Sequence, residues 1–147
     1  MPAIDPADKI LSAGLIVVHY DESRYRFLVL RSFSAWDFPK ALVADGEDPM
    51  TTAINATRDI TGIDELELNW GDEHRETVAD DDGSVSRYYL AQSKTMDVDL
   101  RVPGGVGSEE DFEFQWVTAE EAEDVLPPRL AIVLDFALRM LVSSARR

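Results

Sequence analysis

The sequence contains no cysteine, which excludes disulfide bonds and thiolate metal ligands. Lysine is also scarce, with three residues against seventeen aspartates, and the formal net charge is −15. Because a surface of this sign repels phosphate backbones, we expect no nucleic-acid partner. No apolar run approaches the ~20 residues of a membrane-spanning helix, and the first residues lack the features of a signal peptide. We therefore expect a cytoplasmic protein with no membrane partner.

The chain has the length and composition of one ordinary globular domain. Its 147 residues suffice for one packed core, and 45% of them are hydrophobic. We predict a single domain over residues 1–147, in which residues 1–10 form a loose lead-in. The acidic composition also disfavours a polyanionic small ligand, unless divalent cations or a local basic pocket offset the repulsion.

Apolar and alternating segments predict a series of strands before and after one helix. The helix has Asp48 as its N-cap, Pro49 at its first position and Gly62 at its C-terminal end. A capping box at residues 118–121 and an apolar face after Pro127 predict two later helices. This order indicates an α/β (α+β) fold with a mixed sheet between helices. The predicted strands cover residues 13–19, 25–31, 66–70, 74–78, 86–91 and 112–117.

The stretch from Trp36 to Ile63 resembles the Nudix box, whose pattern is G-x5-E-x7-R-E-U-x-E-E-x-G-U, where U is aliphatic. Glu47 matches the first glutamate, and Gly62 with Ile63 matches the closing pair. Further segments are similar to the diadenosine tetraphosphate hydrolase branch of this MutT-like family, in which an Ala-Thr pair in the box helix is common. The remaining box positions hold Ala41, Asn55, Ala56, Thr57, Asp59 and Ile60. The further segments are residues 13–16, 36–40, 45–48, 88–91, 114–116 and 120–122.

The resemblance implies a Nudix fold and a hydrolase that acts on a nucleoside diphosphate linked to another group, X. It implies that Asp59, Glu110 and Glu47 are the catalytic carboxylates and hold Mg²⁺ (or Mn²⁺), since hard cations prefer clustered oxygen ligands. With Ile60 in the place of a glutamate, we expect the metal to bind weakly. Alternatively, Asp59 is a solvated helix acid, Glu110 belongs to a solvated acidic run, and Glu47 is a turn acid at a helix N-terminus.

The resemblance also implies a substrate-binding set. Lys40 and Arg75 match positions that face phosphates, and Tyr88 and Trp36 are candidates to stack on a base. The alternatives are a surface charge for Lys40 and core packing for the two aromatic residues.

Two functions follow from the incomplete box. The first is a weakened pyrophosphohydrolase resembling bis(5'-nucleosyl)-tetraphosphatase. The alternative is a catalytically inactive Nudix-fold module that binds a nucleotide or has a regulatory role. The predicted partner is a small-molecule nucleotide, and for the inactive module a protein partner is the alternative. The sequence leaves open which nucleotide is bound, the number of metals and the oligomeric state.

Overall fold

The computed structural model describes residues 10–101 and 107–145. The predicted lead-in, apart from Ile10, and the Pro103–Gly105 part of the long polar connection lie outside these residues. No helix in the described ranges combines the length and apolar character needed to cross a membrane. The strands are β1 (Leu11–Asp21), β2 (Arg24–Ser32), β3 (Ala35–Asp37), β4 (Lys40–Leu42), β5 (Leu66–Glu67), β6 (His74–Glu76), β7 (Val85–Ser93) and β8 (Phe112–Val117), and the helices are α1 (Pro49–Thr61), α2 (Ala119–Val125) and α3 (Ala131–Ala145).

The strands form one mixed sheet around β1. The main order is β3-β2-β1-β7-β5, in which β1 and β7 run parallel and the β1–β2 hairpin is antiparallel. β4 pairs with β1, β6 with β7 and β8 with β2, all antiparallel. The predicted mixed sheet is therefore confirmed.

The two faces of the sheet carry separate cores, because successive side chains of a strand point to opposite sides. On β1, Ile16 and Val18 pack in the cluster that includes α3, whereas Leu15 and Val17 pack in the cluster that includes α1. The apolar face of α3 is buried through Val133, Leu134, Ala137 and Leu141, as its spacing predicts. The sheet thus lies between the box helix and the last helix, and the predicted sandwich is confirmed.

The predicted ends of α1 are also confirmed. The Asp48 side chain accepts a hydrogen bond from the Thr51 amide at 3.2 Å, and Pro49 opens the helix. Gly62 closes it with φ +77, a conformation that favours glycine. The buried face of α1 consists of alanines and threonines. Each of its hydroxyl groups has an acceptor, because Thr57 donates to the Ala53 carbonyl at 2.9 Å, Thr61 to the Thr57 carbonyl at 2.6 Å, and Thr52 to the Glu47 carboxylate.

The predicted strand at residues 66–70 is wrong beyond Glu67. The chain turns at residues 69–72, where the Gly71 amide donates to the Leu68 carbonyl at 3.1 Å. Trp70 is thereby buried against the last helix, and its indole N–H donates to the Ser144 hydroxyl at 3.3 Å. Burial of this ring outweighs the local alternation of apolar residues.

The last helix begins with a 3-10 turn at Pro128–Leu130.

Candidate functional site

A cavity of about 280 Å³ opens beside the last turn of α1, and we call it the box cleft. Its volume is near the lower end of the range typical of ligand pockets, ~300–1,000 Å³, so it fits one part of a ligand. Its floor is apolar, and the described residues contribute three cations and one carboxylate to its lining. The apolar lining includes Leu30, Phe38, Ile60, Leu100 and Phe112, and the charged residues are Arg31, Asp37, Lys40 and Arg101.

Among the described residues, Asp37 is the one carboxylate that lines the box cleft, and four donors contact it. One of its oxygens accepts from the Tyr88 hydroxyl and from the Phe38 amide, both at 2.7 Å. The other accepts from Arg129 at 2.8 Å and lies 3.2 Å from the Lys40 ammonium. The Asp37 side chain is 17% exposed, so these four donors replace most of its hydration. We refer to Asp37, Lys40, Tyr88 and Arg129 as the Asp37 cluster.

The titration properties of the cluster follow from burial and from this carboxylate. Burial raises the pKa of Tyr88 well above its ordinary value, and the adjacent Asp37 charge raises it further. Burial acts to lower the pKa of Arg129, but the hydrogen bond and the charge of Asp37 outweigh it and leave that pKa raised. Tyr88 is therefore a neutral donor and Arg129 a full cation at physiological pH.

Gly14 on β1 allows the Pro39–Lys40 backbone to approach the sheet. A Cβ at this position would lie 2.6 Å from the Pro39 carbonyl oxygen and 2.8 Å from the Lys40 Cβ. The Leu15 amide donates to the same carbonyl at 3.1 Å, which fixes the segment. A side chain at residue 14 would therefore move Lys40, and glycine is required here by contact rather than by φ.

The predicted catalytic carboxylates are not brought together. Glu47 accepts a hydrogen bond from the Thr52 hydroxyl beside the N-terminus of α1. The Asp59 side chain is 70% exposed and lies 3.6 Å from Arg58. Glu110 is exposed in a 3-10 turn, Glu109–Asp111, where its carbonyl accepts from Arg31 at 3.2 Å.

The described residues do not fit a metal ion. Within residues 10–101 and 107–145, no group of three or more His, Cys, Asp or Glu side chains is placed to hold one. The cleft face of the box helix instead presents Ile60, whose side chain offers no ligand atom. The placement of Asp59 and Glu47 agrees with the alternatives, a solvated helix acid and a turn acid at a helix N-terminus.

The predicted substrate-binding residues lie in different surroundings. Lys40 lines the box cleft and also bonds to the Ser86 hydroxyl at 3.2 Å. Tyr88 is fully buried, and its ring packs edge-on against Phe38. Trp36 is half-buried on β3 and packs against the core that includes α3. Arg75 is exposed on β6, opposite Tyr88 in the strand register. The structure thus joins Lys40 and Tyr88, through Asp37.

Sequence reasoning missed Asp37 and Arg129. Asp37 lies within residues 36–40, one of the segments that carry the family resemblance, where an acid between two aromatic residues was an available signal. Arg129 had no local signal, since 92 residues separate it from its partner. Ala41 replaces the first glycine of the box, and an alanine is tolerated there because the backbone φ at this position is not positive.

Comparison with solved structures defines the class of the fold. The chain is similar to the Caenorhabditis elegans Ap4A hydrolase binary complex, with a TM-score of 0.76 and 24% identity over 91% of this chain and 98% of that one. It is also similar to the Nudix domain of Shewanella oneidensis NrtR complexed with ADP ribose, with a TM-score of 0.67 and 14% identity over 91% and 88%. The architecture is therefore a Nudix fold.

Sequence comparison identifies the family. No family model matches the chain. The asymmetrical bis(5'-nucleosyl)-tetraphosphatase of Mus musculus is 30% identical over 113 residues, 73% of this chain and 74% of the mouse protein. The enzyme of the same name from Sus scrofa is 28% identical over the same shares. The chain belongs to the MutT-like Nudix pyrophosphohydrolases, in the Ap4A hydrolase-like branch, which confirms the resemblance seen in its sequence.

Proposed function

We propose that this protein is a Nudix pyrophosphohydrolase with strongly reduced turnover that binds a dinucleoside polyphosphate, or a related nucleoside diphosphate linked to X, in the box cleft. The names of its relatives support this class of ligand. Lys40 and Arg101 supply positive charge at the cleft, while Leu100 and Phe112 supply apolar surface. Anionic phosphates joined to a flat, weakly polar base match this combination.

The observation that carries the reduced turnover is the position of Ile60. It lies in the box cleft, at the place that the box pattern gives to a glutamate. Asp59, the remaining acid of that pair, is mostly exposed. Loss of one group that stabilises transition-state charge costs about 3–4 kcal/mol, on the order of a thousandfold in rate. We expect any Mg²⁺ or Mn²⁺ at Asp59, Glu47 or Glu110 to bind weakly, because these carboxylates do not converge.

A second candidate is the catalytically inactive, nucleotide-binding or regulatory Nudix module. It is favoured by the separation of the three carboxylates within the described residues. Both candidates use the same cleft, so ligand binding does not separate them. Hydrolysis does.

The test is a variant that rebuilds the box. Asp59→Glu with Ile60→Glu restores two long carboxylates, and Asn55→Arg restores the arginine that the box pattern pairs with Glu47. Hydrolysis of diadenosine tetraphosphate in magnesium is measured for wild type and for the triple variant, after circular dichroism has shown that the variant is folded. Thr51→Glu, at an exposed position of α1, is the matched control.

We expect slow hydrolysis by wild type and by Thr51→Glu, and a gain of at least a hundredfold in the triple variant. A folded triple variant with no gain on any nucleotide would favour the inactive module. Wild-type turnover at ordinary enzyme rates, ~1–10³ s⁻¹, would contradict the proposed weakening.

A further inference from the structure

The charges around the box cleft do not cancel, although the chain as a whole is strongly acidic. Arg31 forms an ion pair with Glu113 at 2.7 Å and also binds the carbonyl of Glu110. The charge of Arg31 is therefore compensated by Glu113, and its guanidinium is held by the backbone at Glu110. Arg101 lies 3.9 Å from Asp99, but both side chains are more than half exposed, so this pair is weak.

Within the part of the chain that the structure describes, Asp37 is the one carboxylate that lines the cleft, and two cations share it. Arg129 approaches it to 2.8 Å and Lys40 to 3.2 Å, on the same oxygen. The other oxygen is occupied by the Tyr88 hydroxyl and the Phe38 amide. Arg129 does not line the cleft, whereas Lys40 does. The pair Asp37–Arg129 is thus neutral as a unit, and the charge of Lys40 is left in excess at the cavity.

We propose that the box cleft binds phosphate groups without a divalent cation, with Lys40 as the contact and Arg129 as a positioning residue that acts through Asp37. This rests on the proposed function, in which the cleft is the nucleotide site. Phosphate charge is offset there by the protein's own cations, because the described residues offer no convergent carboxylates to hold a metal. Arg129 is the residue that makes this possible, because it neutralises Asp37, which would otherwise neutralise Lys40.

The apolar floor agrees with binding in the absence of metal. Ile60 and Leu100 line the cleft beside Lys40, and Phe112 lies in the same lining. In such surroundings a cation is less hydrated, which strengthens its attraction for an anion. A carboxylate at position 60 would oppose phosphate binding unless a divalent ion came with it. This predicts that the metal dependence of binding can be introduced by one substitution.

The experiment is calorimetric titration with diadenosine tetraphosphate and, separately, with inorganic tripolyphosphate, each in EDTA and in magnesium. The variants are Arg129→Gln, Arg129→Lys, Lys40→Gln and Ile60→Glu. Arg139→Gln is the matched control, because it removes the same charge from an exposed ion pair with Asp135 on α3. The free energy of unfolding of each variant is measured alongside, to separate lost binding from lost folding.

We expect wild type to bind diadenosine tetraphosphate in EDTA within about twofold of its affinity in magnesium. Arg129→Gln should weaken binding about three- to tenfold, from one unit charge acting across a partly exposed site. Arg129→Lys should recover most of this loss, and Arg139→Gln should change affinity by less than twofold. Lys40→Gln should cost tenfold or more, and Ile60→Glu should bind only in magnesium.

The outcomes separate this proposal from the proposed function. Nucleotide binding that requires magnesium in wild type would overturn the metal-free site while leaving the nucleotide function intact. Equal affinities for Arg129→Gln and Arg139→Gln would overturn the role of Arg129. Tripolyphosphate binding in EDTA without any preference for the nucleotide would support the phosphate site and contradict the nucleotide function. If neither diadenosine tetraphosphate nor tripolyphosphate binds, both the metal-free phosphate site and the nucleotide function are overturned.

Discussion

Removing the Asp37 carboxylate should be among the most destabilising single changes at this site. Asp37→Ala leaves the fully buried Tyr88 hydroxyl and the Phe38 amide without their acceptor. An unsatisfied buried donor costs about 1–3 kcal/mol. Arg129 and Lys40 are 42% and 30% exposed, so each can turn towards water and adds less than about 1 kcal/mol. Two such donors and two cations together give a total of about 2–8 kcal/mol.

Asp37→Asn separates charge from hydrogen bonding. The amide oxygen can still accept from Tyr88 and Phe38, so this variant loses the two ionic contacts and retains the buried bonds. We expect a cost of about 1–2 kcal/mol. Asp59→Asn is the control at an exposed carboxylate and should change stability by less than about 0.5 kcal/mol.

Urea unfolding, followed by tryptophan fluorescence and circular dichroism, measures these differences. For a chain of this length, Asp37→Ala should also lower Tm by roughly 10 °C. A cost below about 1 kcal/mol for Asp37→Ala would refute the reasoning, since it would mean that Tyr88 finds another partner. Equal costs for Asp37→Ala and Asp37→Asn would show that charge, rather than the buried hydroxyl, determines the loss.

Three further predictions follow from single contacts. Gly14→Ala should cost about 1–3 kcal/mol by overpacking against Pro39 and Lys40, and should weaken nucleotide binding; an unchanged crystal position of Lys40 would contradict this. Because burial raises the pKa of Tyr88, its hydroxyl stays protonated in the folded state, so its contribution to the free energy of unfolding is fully present below pH 10.0 and falls as pH rises above that value. This loss of stability should be flatter in Tyr88→Phe, with tyrosine ionisation followed by ultraviolet titration. Calorimetry should find weak magnesium binding; tight binding that survives Asp59→Ala would argue against Asp59 as a ligand.

Local signals were sufficient for the ends of the box helix and for the layer order. Asp48, Pro49 and Gly62 act on the backbone next to them, so their effect does not depend on distant residues. The alternation on β1 and the apolar face of α3 likewise predict which side of each element is buried. The capping box before α2 is of the same kind, with the Thr118 hydroxyl accepting from the Glu121 amide.

Local signals failed where a distant contact decided the outcome. The alternation at residues 66–70 predicts a strand, yet Trp70 leaves the sheet to bury its ring beneath α3. For Tyr88 the sequence left open stacking on a base or packing in the core, and the structure buries its side chain with the hydroxyl on Asp37. Neither contact is visible in the residues that surround these positions in the chain.

The sequence by itself determined the family, the caps of the box helix and the replacement of box residues by Asn55 and Ile60, because these depend on residue identity and short spacing. Only the tertiary structure decided which charged side chains surround the cleft where the box residues are replaced. It brings Arg129 onto Asp37 across 92 residues, leaves Lys40 beside an apolar cleft, and turns Asp59 out to solvent. The physical reason is that the charge available to a ligand depends on which ions are paired, and pairing between distant segments is fixed only when the sheet and the last helix pack together.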